Sequence, residues 1–99
     1  MYTELRAYLD YRQDDRPLSF WRTRDGKEVD FILGDDAAIE VKATGHPSER
    51  HLAGLDALSE EGTFRRRVLV CEAERPSATR GLEALPLANF VEELWSGRI

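Results

Sequence analysis

At 99 residues the chain has room for one domain, 1–99, with a core that buries about two thirds of the unfolded surface and little to spare. Charged residues make up 33% and hydrophobic ones 41%, no apolar run reaches the ~20 residues of a membrane helix, and the start MYTELRAYLD lacks a signal-peptide core, so a cytoplasmic protein with no membrane contact is expected. The net charge of −5, acidic in both halves, excludes a molecule-wide basic footprint for nucleic acid, so any phosphate contact has to be local.

Tyr2, Leu5, Tyr8 and Leu9 lie on one helical stripe and predict a first helix over 2–9. A helix that starts at residue 1 leads us to expect a fragment of a longer chain. Residues 10–17 are polar and read as a loop. Phe20 and Trp21 favour a strand over 18–24, and Asp25-Gly26 is a hairpin signal before a return strand over 28–33. Gly34-Asp35-Asp36 makes the next turn, followed by a more buried strand over 37–43.

Ser48 caps a second helix that runs to about Glu60, with Leu52, Leu55 and Leu58 as its apolar stripe and Gly62 as its stop. A fourth strand over 67–71 follows, and the helix between makes the third and fourth strands parallel. Cys71, the only cysteine, excludes an internal disulfide and reads as a buried thiol at that strand's end. Residues 72–81 form a polar loop, 82–85 a short edge strand, and Pro86 the first residue of a last helix with Phe90, Val91, Leu94 and Trp95 on its apolar face. The result is mixed α/β, in the order αβββαβ(β)α.

The stretch from Gly26 to Lys42 carries the chemistry. Side chains alternate across a strand, so Glu28 and Asp30 should share one face of the second strand, with Val29 and Phe31 on the other. Glu40 and Lys42 should likewise share a face opposite Ile39 and Val41. Two carboxylates and an ammonium would then converge across neighbouring strands, a set suited to a divalent cation beside a phosphate. Lys42 is one of two lysines against twelve arginines, which suggests a position selected for lysine chemistry.

Asp30, followed ten positions on by Glu40-Val41-Lys42, within the order helix, hairpin, strand, helix, parallel strand, resembles the PD-(D/E)xK nuclease superfamily. ELRAY, FWRTRDGKEVDFI, IEVK and a closing L-P-x-x-x-F-x-x-x-L-W resemble one branch of it, the nuclease-like C-terminal domain of unknown function found in prokaryotic AAA-type ATPases. The resemblance implies a restriction-endonuclease-like αβββαβ core with a mixed sheet and a C-terminal helix. It also implies Mg2+ or Mn2+ held by Asp30, Glu40 and the backbone carbonyl of Val41, with Lys42 catalytic and Glu4 as an accessory carboxylate. Val29 stands where some members have proline. DNA and the ATPase domain of a parent chain are the implied partners, and oligomerisation is a further one. The chain has no phosphate-binding loop GxxxxGK[ST], so ATPase activity is not its own.

Other readings stand beside these. Glu40 and Lys42 also fit a surface ion pair on an exposed sheet face, with Asp30 an edge charge. Glu28 fits a hairpin surface charge, His46 and His51 a loop and a helix surface, and Trp21 and Trp95 core or docking aromatics. Arg65-Arg66-Arg67 fits either a nucleic-acid backbone contact or a solvated strand start. The alternative function is a catalytically inactive module for docking, oligomerisation or nucleic-acid binding.

Overall fold

The computed structural model describes all of residues 1–99. The order is α1 (Tyr2–Arg12), β1 (Leu18–Arg22), β2 (Glu28–Leu33), β3 (Ala37–Val41), α2 (Glu49–Leu58), β4 (Arg66–Cys71), β5 (Ser77–Thr79), β6 (Leu82–Pro86) and α3 (Leu87–Trp95). The six strands form one sheet in the order β1-β2-β3-β4-β6-β5. Strands β3, β4 and β6 run parallel, and the other pairings are antiparallel. This is the mixed α/β sheet with a C-terminal helix that the sequence predicts.

Alternation on the strands feeds two cores. Ile39, Val68 and Val70 meet Leu5, Tyr8 and Leu9 of α1 and Phe90 and Leu94 of α3 on one face. Ala38, Leu69 and Cys71 meet Leu52, Leu55 and Leu58 of α2 on the other. Strand β3 is therefore central, buried from Ala37 through Glu40. Cys71 is buried at a strand end, as expected.

Several local expectations give way to tertiary contacts. Helix α1 continues to Arg12 and stops where Gln13 turns left-handed at φ 53°. Helix α2 ends at Leu58, before Gly62, because Ser59 and the turn after it satisfy the last carbonyls. The edge strand on the β6 side is β5, within the stretch read as a loop. β6 lies inside the sheet between β4 and β5, with Leu82 and Ala84 buried. Pro86 caps α3 from outside the helix.

The largest departure lies in β2. Val29 packs on the α2 side with Ile32, whereas Phe31 packs on the side of α1 and α3. The predicted shared face of Val29 and Phe31 does not form. Ser19 pairs with Ile32 but Trp21 with Val29, so β2 spends one more residue than β1 over the same span. That extra residue is a β-bulge, which reverses the alternation and re-aims the side chains beside it. It falls at Asp30.

Candidate functional site

The β2–β3 ladder pairs Leu33, Ile32 and Phe31 with Ala37, Ala38 and Ile39, and no pair continues it toward Glu28. Side chains take over where it stops. The Asp30 N–H donates to Glu40 Oε1 at 3.1 Å, and the Val41 N–H donates to Asp30 Oδ2 at 3.0 Å. Each carboxylate thus binds the backbone of the opposite strand, and the two are locked side by side in the gap. Lys42 Nζ stands 3.8 Å from Glu40 Oε2, an ion pair too long for a hydrogen bond. The structure therefore brings Asp30, Glu40, Val41 and Lys42 together.

Glu40 is the only buried polar or charged residue in the chain, 3% exposed. The surface ion-pair reading of Glu40 and Lys42 fails on that point. Burial pushes the Glu40 carboxyl up to about 8, helped by the adjacent Asp30, and Lys42 opposes the shift only in part. An unprotonated pair would leave two carboxylates facing one half-exposed ammonium. Such a pair needs a proton or a cation. Hard carboxylate oxygens are the donors that Mg2+ and Mn2+ prefer, so the donor chemistry fits. No third His, Cys, Asp or Glu joins the pair, which leaves the Val41 carbonyl and water to complete a shell.

Glu4 is placed elsewhere. Its carboxylate accepts the Trp95 indole N–H, tying α1 to α3, and Trp95 also packs edge-on against Tyr8 and Tyr11. That contact belongs to the face of α1 and α3, whereas the cavity beside Glu40 is lined by α2. Trp21 packs against the α2-side core. His46 is exposed on a loop, and its N–H bonds Thr44 Oγ1. Arg66 is neither a phosphate contact nor a solvated strand start. Its guanidinium, 13% exposed, is taken by Glu83, Glu93 and the Arg98 carbonyl.

Sequence reasoning missed the part played by α2. Gly54 approaches β2 so closely that a Cβ built there would lie 2.1 Å from the Glu28 carbonyl oxygen. The glycine lets the helix sit against the open end of the β2–β3 ladder. Arg50 and His51 thereby line one cavity with Glu40 and Lys42. His51 also serves the helix: its Nδ1 accepts the Ser48 N–H at 3.1 Å, the role that Glu or Gln fills in a capping box. Spacing from Ser48 was the available signal, since His51 occupies the third helical position. Glu28 lines the same cavity and pairs with Arg22 at 3.5 Å.

These features define a mixed α/β domain with a paired-carboxylate site at the open end of a strand pair. The chain belongs to the family described as Domain of unknown function (DUF4143), which matches residues 1–90. No curated protein and no solved structure matches it.

Proposed function

We propose that this domain is a nuclease-like module whose Asp30–Glu40–Lys42 cluster hydrolyses phosphodiesters of DNA with Mg2+ or Mn2+, within a longer chain that carries an AAA-type ATPase. The observation that carries the reading is Glu40: a buried carboxylate held against Asp30 by two backbone hydrogen bonds and left short of positive charge. Asp30, Glu40 and the Val41 carbonyl would hold the cation. When bound, it supplies charge neutralisation at the phosphoryl group and a more acidic water. Lys42 stays half-exposed beside Glu40, placed to orient the attacking water or offset charge that develops on the phosphate. The spacing of Asp30 to Glu40-x-Lys42 and the order αβββαβ add support by resemblance. The resemblance gives Glu4 an accessory role, but its bond to Trp95 argues against that role.

Calorimetry with Mg2+ and Mn2+, followed by cleavage assays on single-stranded, duplex and nicked DNA, tests this directly. One cation per chain is expected, with binding lost in Asp30→Asn and cleavage lost in Lys42→Ala. Absence of cation binding by the folded protein ends the proposal.

The alternative, an inactive docking or oligomerisation module, draws on the exposed aromatics Phe20 on edge strand β1 and Tyr11 on α1, 68% and 77% accessible. A parent chain whose assembly survives Lys42→Ala but not Phe20→Ser would favour it.

A further inference from the structure

The cavity beside Glu40, about 130 Å³, lies between the open end of β2–β3 and the start of α2. Its lining includes Lys27, Lys42, Arg50 and His51 together with Glu28 and Glu40. Lys27 is held by Asp25 at 3.2 Å, and Glu28 pairs with Arg22. The remaining donors are uncommitted. Lys42 has one partner, at 3.8 Å, beyond hydrogen-bond reach. Arg50 pairs with no carboxylate, and its sequence neighbour Glu49 points to Arg80 instead. His51 accepts the Ser48 N–H through Nδ1, so the neutral ring carries its proton on Nε2, which has no partner in the chain.

The two most closely held guanidinium groups of the chain lie elsewhere: Arg16 with Asp14 and Asp36, and Arg66 with Glu83 and Glu93. Single arginines such as Arg24 and Arg75 also lack a carboxylate partner; what marks this cavity as a local site for an anion, in a protein of net charge −5, is that three spare donors of different shape line it together.

The geometry points to Lys42, Arg50 and the Nε2–H of His51 as a cradle for the non-bridging oxygens of a phosphate group in a nucleic-acid backbone, set over the Glu40 carboxylate. This assignment rests on the phosphodiester reading and extends it, since it gives α2 the substrate-holding role. The cradle explains how an acidic domain without a basic face would hold DNA at one point. It also predicts weak, local binding that depends less on salt than a broad basic footprint does.

The test uses amide NMR of the whole metal-free chain, titrated first with inorganic phosphate and then with a short DNA duplex. Both probes are expected to shift the amides of Lys42, Arg50 and His51. Arg50→Ala should weaken each at least about tenfold, the loss of one charge-assisted bond. Arg50 has no partner in the chain, so this variant keeps the fold. His51→Glu keeps the cap acceptor for Ser48 but removes the ring donor and sets a negative charge beside the anion, and should weaken binding more than Arg50→Ala. His51→Gln supplies both acceptor and donor, and should stay within about threefold. A purely structural role for His51 would leave folded His51→Ala, which adds no charge, binding phosphate as well as His51→Gln does. In Mg2+-dependent cleavage, Arg50→Ala should raise KM far more than it lowers kcat.

Unshifted amides with both probes, or unchanged affinity in folded Arg50→Ala and His51→Glu, overturn the cradle. Cleavage with KM unmoved in Arg50→Ala overturns it while hydrolysis stands. Phosphate binding lost in these variants, with no cleavage under any metal, sustains the cradle while hydrolysis falls.

Discussion

Two charged clusters sit in this small fold, and they are built on opposite rules. Around Arg66, one guanidinium meets Glu83 through two bonds of 2.6 and 2.8 Å and Glu93 at 2.8 Å, with the Arg98 carbonyl at 3.0 Å. The cluster ties β4 to β6, α3 and the last turn of the chain. Around Glu40, two carboxylates lie side by side with one ammonium 3.8 Å from Glu40, and their best bonds are to backbone N–H groups. The first cluster is saturated by short charge-assisted bonds and reads as structure. The second is held in geometry but left short of charge, so it has capacity for something else. Charge in a half-buried place is informative only when its partners are counted.

The sharpest contrast comes from removing one partner in each cluster. Arg66→Ala leaves two partly buried carboxylates facing each other, and should lower stability by about 3 kcal/mol in urea denaturation. A loss under 1 kcal/mol would make the Arg66 cluster as dispensable as an ordinary surface pair. Next in size is Gly54→Ala. The added methyl meets the Glu28 backbone, so α2 has to shift, at about 1–3 kcal/mol, and the Glu40 cavity should distort with it.

Glu40→Gln should act in the opposite direction. The glutamine keeps an acceptor for the Asp30 N–H and removes the like charge. Glu40 titrates near 4.5 when unperturbed and is pushed up to about 8 in the fold. Between those values the native state holds a proton that the unfolded chain has lost. The stabilisation is therefore complete below about 4.5 and is lost as pH rises through about 8. Thermal unfolding of the metal-free protein should show that decline, and Glu40→Gln should flatten it. Saturating Mg2+ should also flatten it in the original chain, because a bound cation replaces the proton. A stability curve that rises between pH 5 and 8 would reverse the sign and remove the strained-carboxylate picture.

Lys42→Ala should have the smallest effect on folding, within about 0.5 kcal/mol, because the ammonium is 40% exposed and its pair is long. Its effect on cleavage should be large, about a hundredfold, if it acts on the reacting phosphate. Equal, small effects on stability and turnover would place Lys42 outside the chemistry.

The two clusters also differ in how far they can be read from the sequence. Asp30, Glu40 and Lys42 stand out because polar residues interrupt runs such as Val29-Phe31 and Ile39-Val41, where a period of two should be apolar inside. Arg66 gives no such signal. Its partners Glu83 and Glu93 lie 17 and 27 residues away, and only the parallel pairing of β4 with β6 brings them in. The stretch Leu82–Leu85 reads as an edge strand because composition shows its shortness but not which strand lies outside it. His51 looks like a surface residue because a helix period shows its face but not the cavity that face closes.

The amino-acid sequence by itself determined the element types except β5, the mixed sheet with its parallel β3–β4 pair, and the candidate pair Asp30 and Glu40. Those follow from local periodicity, turn chemistry and spacing, which need no partner. Tertiary structure alone decided that a bulge re-aims β2 at Asp30, that Glu40 is buried, and that Glu4 serves Trp95. It also decided that Gly54 brings Arg50 and His51 to the site. Each of these depends on which distant element fills the space beside a residue, and burial and close approach are properties of the assembled fold.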